Sequence, residues 1–307
     1  MSLMSPAGFQ TLLDRRYKEI LEYEYGSVRD QIGDFYSRDT SDSFEERRGS
    51  VGELPMWDEF GGAIPYARFW EQYQSIAVHR EFAQGLRWER RLVDDDLTGI
   101  MRGDRYAKMV NSGIQTQQQH AARLWNFIDS NDLYFYTRTE GAPIASAFHT
   151  TRTPNVSTVT GFDNILTDAL SPVSYRAARH KMRRFASDQG LISDIIGDTL
   201  VVPIELEQRA MEILHSTYWP DTNENRIQAD KDSAKIIVCI YWDDPNNWAL
   251  VNEKLMKANC YWFDRIDMKG EFRQILDFDT LQLKASGYGR WSTLVLDWRW
   301  VLAGVVS

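Results

Sequence analysis

Between residues 94 and 130 the apolar positions Ile100, Ala107, Val110, Ile114, Ala121, Trp125 and Ile128 recur at intervals of three, four and seven. That spacing puts one stripe on one face of a helix. Asp94, Asp95 and Asp96 open the stretch, where the positive end of a helix favours carboxylates. No proline interrupts it, and Gln115-Thr116-Gln117-Gln118-Gln119 keeps the other faces polar. The pattern predicts one long helix, about 50 Å if unbroken at 1.5 Å per residue. Globular helices usually run roughly 10–14 residues, so a rod of this length suits an extended molecule. A break near Gly103 or Gly113 would give an ordinary globule instead.

On either side the periods change. Phe9–Tyr25 reads as a helix carrying Leu12, Leu13, Ile20 and Leu21, followed by a polar, irregular run over Arg38–Ser50. Residues 51–93 read as extended, with Ile76 and Val78 on one strand face, and hold Trp57, Phe60, Tyr66, Phe69, Trp70, Tyr73, Phe82 and Trp88. An excursion of about 40 residues beside a long helix is hard to bury in one compact domain. It is read here as a projecting hairpin packed on another subunit; the alternative is an aromatic-rich sheet of the core. Leu133–Thr137 is β-rich. Ser171-Pro172 predicts a helix start and Gly190 its end, from the preferences for serine at N-cap, proline at N1 and glycine after the last turn. Tyr175, Ala178, Met182, Phe185 and Ala186 form its apolar face, and Arg176, Arg179, His180, Arg183 and Arg184 its basic one. Thr199–Val202 is a short buried strand running into a helix at Pro203, and Trp219–Ala234 a polar loop. Lys235–Tyr241 is a second buried strand, and the tail from Phe278 to Val306 supplies closing strands.

Composition narrows the chemistry. The chain has 307 residues, 43% of them hydrophobic, with 11 tryptophans, a formal net charge of −9 and a pI near 5.2. An acidic chain lacks the basic footprint of a free nucleic-acid binder, although it could still wall off nucleic acid without gripping it. Residues 1–50 hold 7 Lys/Arg against 10 Asp/Glu, so this arm does not reach for DNA. Two cysteines, Cys239 and Cys260, make no disulfide framework and suit a reducing compartment. No apolar run spans a membrane, and no export signal opens the chain. His149 beside Thr150 and Thr151 lacks a nucleophile and reads as a hydrogen-bonded loop residue. No cofactor, catalytic or metal site is expected.

Several segments then combine in order: the aromatic stretch, the spine helix, and Leu200-Val201-Val202-Pro203-Ile204-Glu205-Leu206-Glu207. Phe263-Asp264-Arg265, Asp277-Phe278-Asp279-Thr280, Lys284-Ala285-Ser286-Gly287-Tyr288 and Asp297-Trp298-Arg299 follow. Together, from about residue 45 to the end, they resemble the major capsid protein of tailed bacteriophages, in particular the Mu-like major head subunit. The resemblance implies the α+β Hong Kong-97 capsid fold. Residues 1–50 would be the N-terminal arm, 51–93 the extended loop, 94–164 the peripheral domain with the spine helix, 165–275 the axial domain, and 276–307 the closing strands of the peripheral domain. It implies a non-enzymatic homo-oligomer of pentamers and hexamers in an icosahedral shell around DNA. The shell would be assembled in the host cytoplasm and end in the virion, with a portal as partner and a decoration protein as an optional one. No lysine lies between Lys18 and Lys108, so a loop-lysine isopeptide has no donor and cohesion is expected to be non-covalent. The short stretch before the loop suggests a separate scaffolding protein.

The expected inter-subunit contacts are Trp57, Phe60, Tyr66, Phe69, Trp70 and Tyr73 of the loop, and Arg176, Arg183 and Arg184 of the basic helix, whose alternative role is a solvated, salt-bridged face. Two other functions remain as alternatives. One is an encapsulin-like cellular shell of the same fold. The other is a metal-dependent nuclease using Asp277, Asp279, Gln282 and Lys284, which alternate along a presumed strand and so do not converge.

Overall fold

The computed structural model describes residues 18–62, 64, 66–91, 95, 105–216, 230–277 and 279–306. The start of the predicted spine, most of the polar loop after Trp219 and the first half of the arm helix lie outside the described residues.

The spine helix runs over Arg105–Asn126. Val110, Ile114, Ala121 and Trp125 of the predicted stripe are buried along it, and Ile128 just beyond it; Tyr106, Met109 and Leu124 join them. Gly113 does not break it. A Cβ there would approach the Met268 sulfur to 2.8 Å, so the glycine marks a close crossing and not a hinge. The arm lies along the spine. Its short helix Gln31–Phe35 is capped by Asp30, the Gln31 amide donates to Gln118 Oε1 at 3.0 Å, and Tyr36 Oη donates to the Ala121 carbonyl at 3.0 Å. Phe35 meets Trp125 edge-on at 5.2 Å.

Three sheets surround this axis. Strands β1 (Ser37–Thr40), β10 (Cys260–Ile266), β12 (Gln282–Val295) and β11 (Arg273–Leu276) form the first, with β4 (Arg80–Glu89) on the far side of β12. The second has the order β6 (Ile165–Leu166), β13 (Val301–Gly304), β9 (Trp248–Val251), β7 (Thr199–Pro203), β8 (Lys235–Cys239). The third joins β2 (Glu45–Val51), β3 (Glu71–Val78) and β5 (Tyr136–Arg138). The spine and the first sheet share one core, which includes Trp125, Trp262, Trp291 and Trp300. The second core gathers Tyr175, Phe185, Leu250, Trp248 and Trp298. Strands β7, β9 and β13 are buried at every position, as expected of strands covered on both faces.

The structure departs from the sequence reading in six places. Arg38–Ser50, read as irregular, holds most of strands β1 and β2, which pair with β10 and β3. The helix opening at Ser171 has the expected cap, a reciprocal Ser171–Ser174 box with proline in the first turn, but it ends at Met182. Beyond it the Ala186 amide reaches back to the Gly161 carbonyl at 2.9 Å. Gly190, with φ +76, serves the small turn that follows. Pro203 is followed by a 3-10 turn over Ile204–Leu206 before the α-helix Glu207–His215. On β3 the buried positions are Gln72, Ser75 and Ala77, while Val78 is exposed. Strand β13 inserts into the second sheet between β6 and β9, whereas β10 and β11, expected with residues 165–275, pair with β12. Finally, Asp277 and Lys284 stand across a hairpin: the Asp277 amide donates to the Gln282 carbonyl at 2.9 Å and β11 pairs with β12 through Ile275↔Lys284.

Candidate functional site

The residue types along 52–70 and their surroundings disagree. Among the described residues of this stretch none lies in helix or strand, yet it is rich in rings. Trp57 is 97% exposed and Tyr66 92%, while Phe60, Phe69 and Trp70 also face solvent. Met56 and Ile64 are exposed beside them. Exposed large apolar side chains gathered on one segment, unlike singly scattered ones, mark interaction sites.

The stem of this loop, by contrast, is fastened. The Gly52 amide donates to the Trp70 carbonyl at 2.9 Å. Buried Gln72 donates to Thr153 Oγ1 at 2.9 Å, and its oxygen accepts from the Arg152 amide at 3.0 Å. Tyr73 Oη is 2.7 Å from Thr150 Oγ1, so this ring is committed within its own chain. Gln189 Nε2 donates to the Glu53 carbonyl at 2.9 Å. The stem therefore fixes where the loop leaves the body, and the rings beyond it are left over.

Below the stem lies a polar cavity of about 210 Å3 that sequence reasoning missed. Arg299, inside the fold, binds Asp188 at 3.0 Å, Asp297 at 2.9 Å and the Ala186 carbonyl at 2.7 Å. Burial pushes the Asp188 carboxyl up, opposed by the Arg299 charge. Glu140 accepts from Arg138 Nη2 at 2.6 Å and pairs with His149 Nδ1 at 2.9 Å. Burial alone would raise its carboxyl; the His149 bond and the Arg138 charge outweigh burial and hold it below the usual carboxylate range. His149 Nε2 meets Asn164 Oδ1 at 3.0 Å, and the ring stacks on Trp298 at 4.2 Å. The histidine is thus a hydrogen-bonded loop residue, as read from its neighbours. These hydrogen-bond partners lie up to 113 residues apart, which leaves no local signal.

The basic helix is largely neutralised by its own chain. Arg176 and Arg179 bind Asp230 at 2.6 and 3.2 Å, and Arg183 binds Asp194 at 2.7 Å. Arg184 is exposed. The structure leaves the loop rings of 52–70 exposed, ties Tyr73 to Thr150, and pairs Arg176 and Arg183 of the basic helix within the chain.

Among the described residues no group of three or more His, Cys, Asp or Glu could hold a metal. Asp277 pairs with Lys284, and that bond holds its carboxyl down at about 2. Such a pairing occupies the carboxylate a nuclease would need for a metal. No helix among the described residues is long and apolar enough to cross a membrane. Burial pushes the Cys239 thiol up to about 12, and the Cys260 thiol well above its usual value, so both are inert packing groups.

Comparison with known proteins adds the family. The chain is similar in fold to the capsid of bacteriophage JBD30 decorated with minor capsid protein trimers: TM-score 0.54, 14% identity, 71% of this chain and 92% of that one. The capsid of a native GTA particle matches with TM-score 0.53 and 10% identity over 92% of each chain. A virus-like particle from Pyrococcus furiosus matches with TM-score 0.50 and 10% identity over 94% of this chain and 98% of that one. No curated protein sequence matches. The profile of the phage capsid protein family matches residues 72–304, most of the length, and with it the mixed helix-and-sheet architecture is that of tailed-phage capsids. This chain belongs to the phage capsid protein family, as a structural protein of the shell.

Proposed function

We propose that this protein is the major head subunit of a tailed phage, of the Mu-like kind, and that it tiles an icosahedral shell around double-stranded DNA. The observation that carries the reading is the fastened stem with its exposed rings at 52–70. In this reading residues 51–93 are the extended loop of a Hong Kong-97-like subunit. The spine helix and the β12 sheet form the peripheral domain, the β7–β9 sheet forms the axial domain, and 1–50 is the arm.

A closed shell needs repeated symmetric contacts, each of which can be weak because many engage together. Burying the five exposed rings on a neighbour, at about 25 cal/mol per Å2, gives several kcal/mol gross per subunit, and ordering the loop cancels much of it. With no lysine between Lys18 and Lys108, the loop carries no isopeptide donor, so cohesion is non-covalent or assisted by a decoration protein. The net charge of −9 suits a wall that lets DNA slide, since phosphate affinity comes from neutralising cations. A portal and a scaffolding protein complete the partners, assembly takes place in the host cytoplasm, and the product is the virion head. The family match to phage capsids favours a DNA-filled head over a cargo-storing cellular shell.

Negative-stain microscopy of the expressed protein tests this. Shells whose subunits run as monomers under denaturing mass spectrometry, and whose filled form contains DNA, are expected. Covalently linked subunits, or shells that only ever hold a protein cargo, would contradict it.

A further inference from the structure

The loop's charge identifies the surface that receives it. From Gly52 to Trp70 the loop carries Glu53, Asp58 and Glu59 against a single cation, Arg68. The stretch Trp57-Asp58-Glu59-Phe60 flanks two carboxylates with rings. A matching receiver must offer an apolar recess beside an unneutralised cation.

We propose that this stretch docks on a second copy, in the pocket between the 157–163 segment and the end of the Pro172–Met182 helix. The proposal rests on the loop being an inter-subunit arm and names its partner surface. The pocket measures about 330 Å3 and is lined by Gly161, Ala177, His180, Arg184 and Phe185, among others, which is in the range of pockets that hold a side-chain-sized group. Gly161, with φ +79, lets the 157–163 segment close against the helix end; a Cβ there would stand 2.9 Å from Ala186 Cβ. Val159, in the same segment, is 91% exposed.

The ion pairs settle which cation meets Asp58 and Glu59. Arg176 and Arg179 are held by Asp230, Lys181 by Asp163 and Arg183 by Asp194. Arg184 has no carboxylate partner among the described residues, and His180 stands beside it in the lining. The occupant is a second copy because Trp57 makes almost no contact with its own chain, at 97% exposure. A competing groove of about 480 Å3, between the spine and β4, is lined by Phe82, Met109, Phe272 and Trp291. Its charged lining residue, Glu81, is paired with Arg290, and no lysine or arginine lines it, so it offers the acidic stretch no free cation.

A charge-exchange cycle in full-length protein tests the pairing. Asp58→Arg with Glu59→Arg is expected to cut shell yield about tenfold, Arg184→Glu to do the same, and the combination to recover most of it, the pattern of directly coupled charges. All three sites are exposed, so the monomers should melt like wild type. A benzoylphenylalanine at position 60, irradiated in assembled shells, should crosslink to residues 157–163 or 177–185 of another subunit. Failure of the combination to recover yield, or crosslinks confined to 109–116 and 268–272, would overturn the assignment while leaving the inter-subunit loop intact. Shells with no inter-subunit crosslink from position 60 would overturn both.

Discussion

Two groups of tryptophans in this chain meet opposite fates. Trp248 on β9, and Trp298 and Trp300 beside β13, are fully buried, and each satisfies its polar or π surface within the chain. Trp248 Nε1 donates to the Asp168 carbonyl at 3.0 Å, Trp300 Nε1 to the Asp297 carbonyl at 2.8 Å, and Trp298 stacks on His149. Trp57, on the loop, has neither cover nor partner in its own subunit. In the proposed reading the same residue type serves two stages of burial: the first group completes the subunit, and the second waits for a neighbour. The difference is one of topology. β9 and β13 pair on both edges, whereas 52–70 is tied only at its ends.

This contrast can be broken at either side. The largest effect is expected from Trp300→Ala, which should destabilise the isolated subunit by about 3–5 kcal/mol in urea titration, the range for emptying a large core site. A change under about 1 kcal/mol would mean the inner rings are not a finished core. Arg299→Met comes next. It leaves Asp188 and Asp297 inside the fold without their cation, at a cost of about 3 kcal/mol for a broken buried pair. Ser171→Ala removes the reciprocal cap and should cost about 1 kcal/mol.

A pH series sharpens the inner side further. Burial pushes the His120 imidazole down to about 4, with the Arg123 charge adding to the shift. A histidine whose folded value lies below its unfolded one favours unfolding once protonated, so its stabilising share is full above about 6.5 and drains away toward about 4. Stability should fall more steeply across that window in wild type than in His120→Gln. Equal slopes would show that the imidazole is open to water. The smallest effect on the subunit is expected from Trp57→Ala: within about 0.5 kcal/mol in the monomer, as for other exposed sites, but with shell yield sharply reduced. Normal particles at normal yield would remove the loop from the interface.

Legibility followed the range of the interaction. The spine's stripe, the Ser171-Pro172 start and the buried strand at Thr199 each carry their cause within a few residues, through helical period, capping chemistry and β-branched runs. All of 51–93 reads in the sequence as an aromatic excursion too long to bury; the rings of 52–70 are exposed, but Trp88 is buried and Phe82 stacks on Trp291 because β4 pairs with β12 in the chain's own sheet. What could not be read is set by contacts distant in sequence. The helix ends at Met182 because Ala186 bonds Gly161, and β13 leaves β12 for β9 and β6 because its register with Val251 and Ile165 is a tertiary choice. Likewise, nothing near Arg299 announces Asp188, and nothing near Arg176 announces Asp230. The pairing of basic-helix residues inside the chain is the clearest instance: their spacing displays a charged face, and only the fold says which charges are already spent.

Hydroxyl-radical footprinting of isolated subunits and assembled shells tests the central claim directly, because it reads ring exposure residue by residue. Trp57 and Tyr66 should label readily in subunits and be protected about fivefold or more in shells, as for anchors ringed by water-excluding contacts; Trp248 and Trp300 should resist labelling in both. Equal labelling of Trp57 before and after assembly would contradict the account.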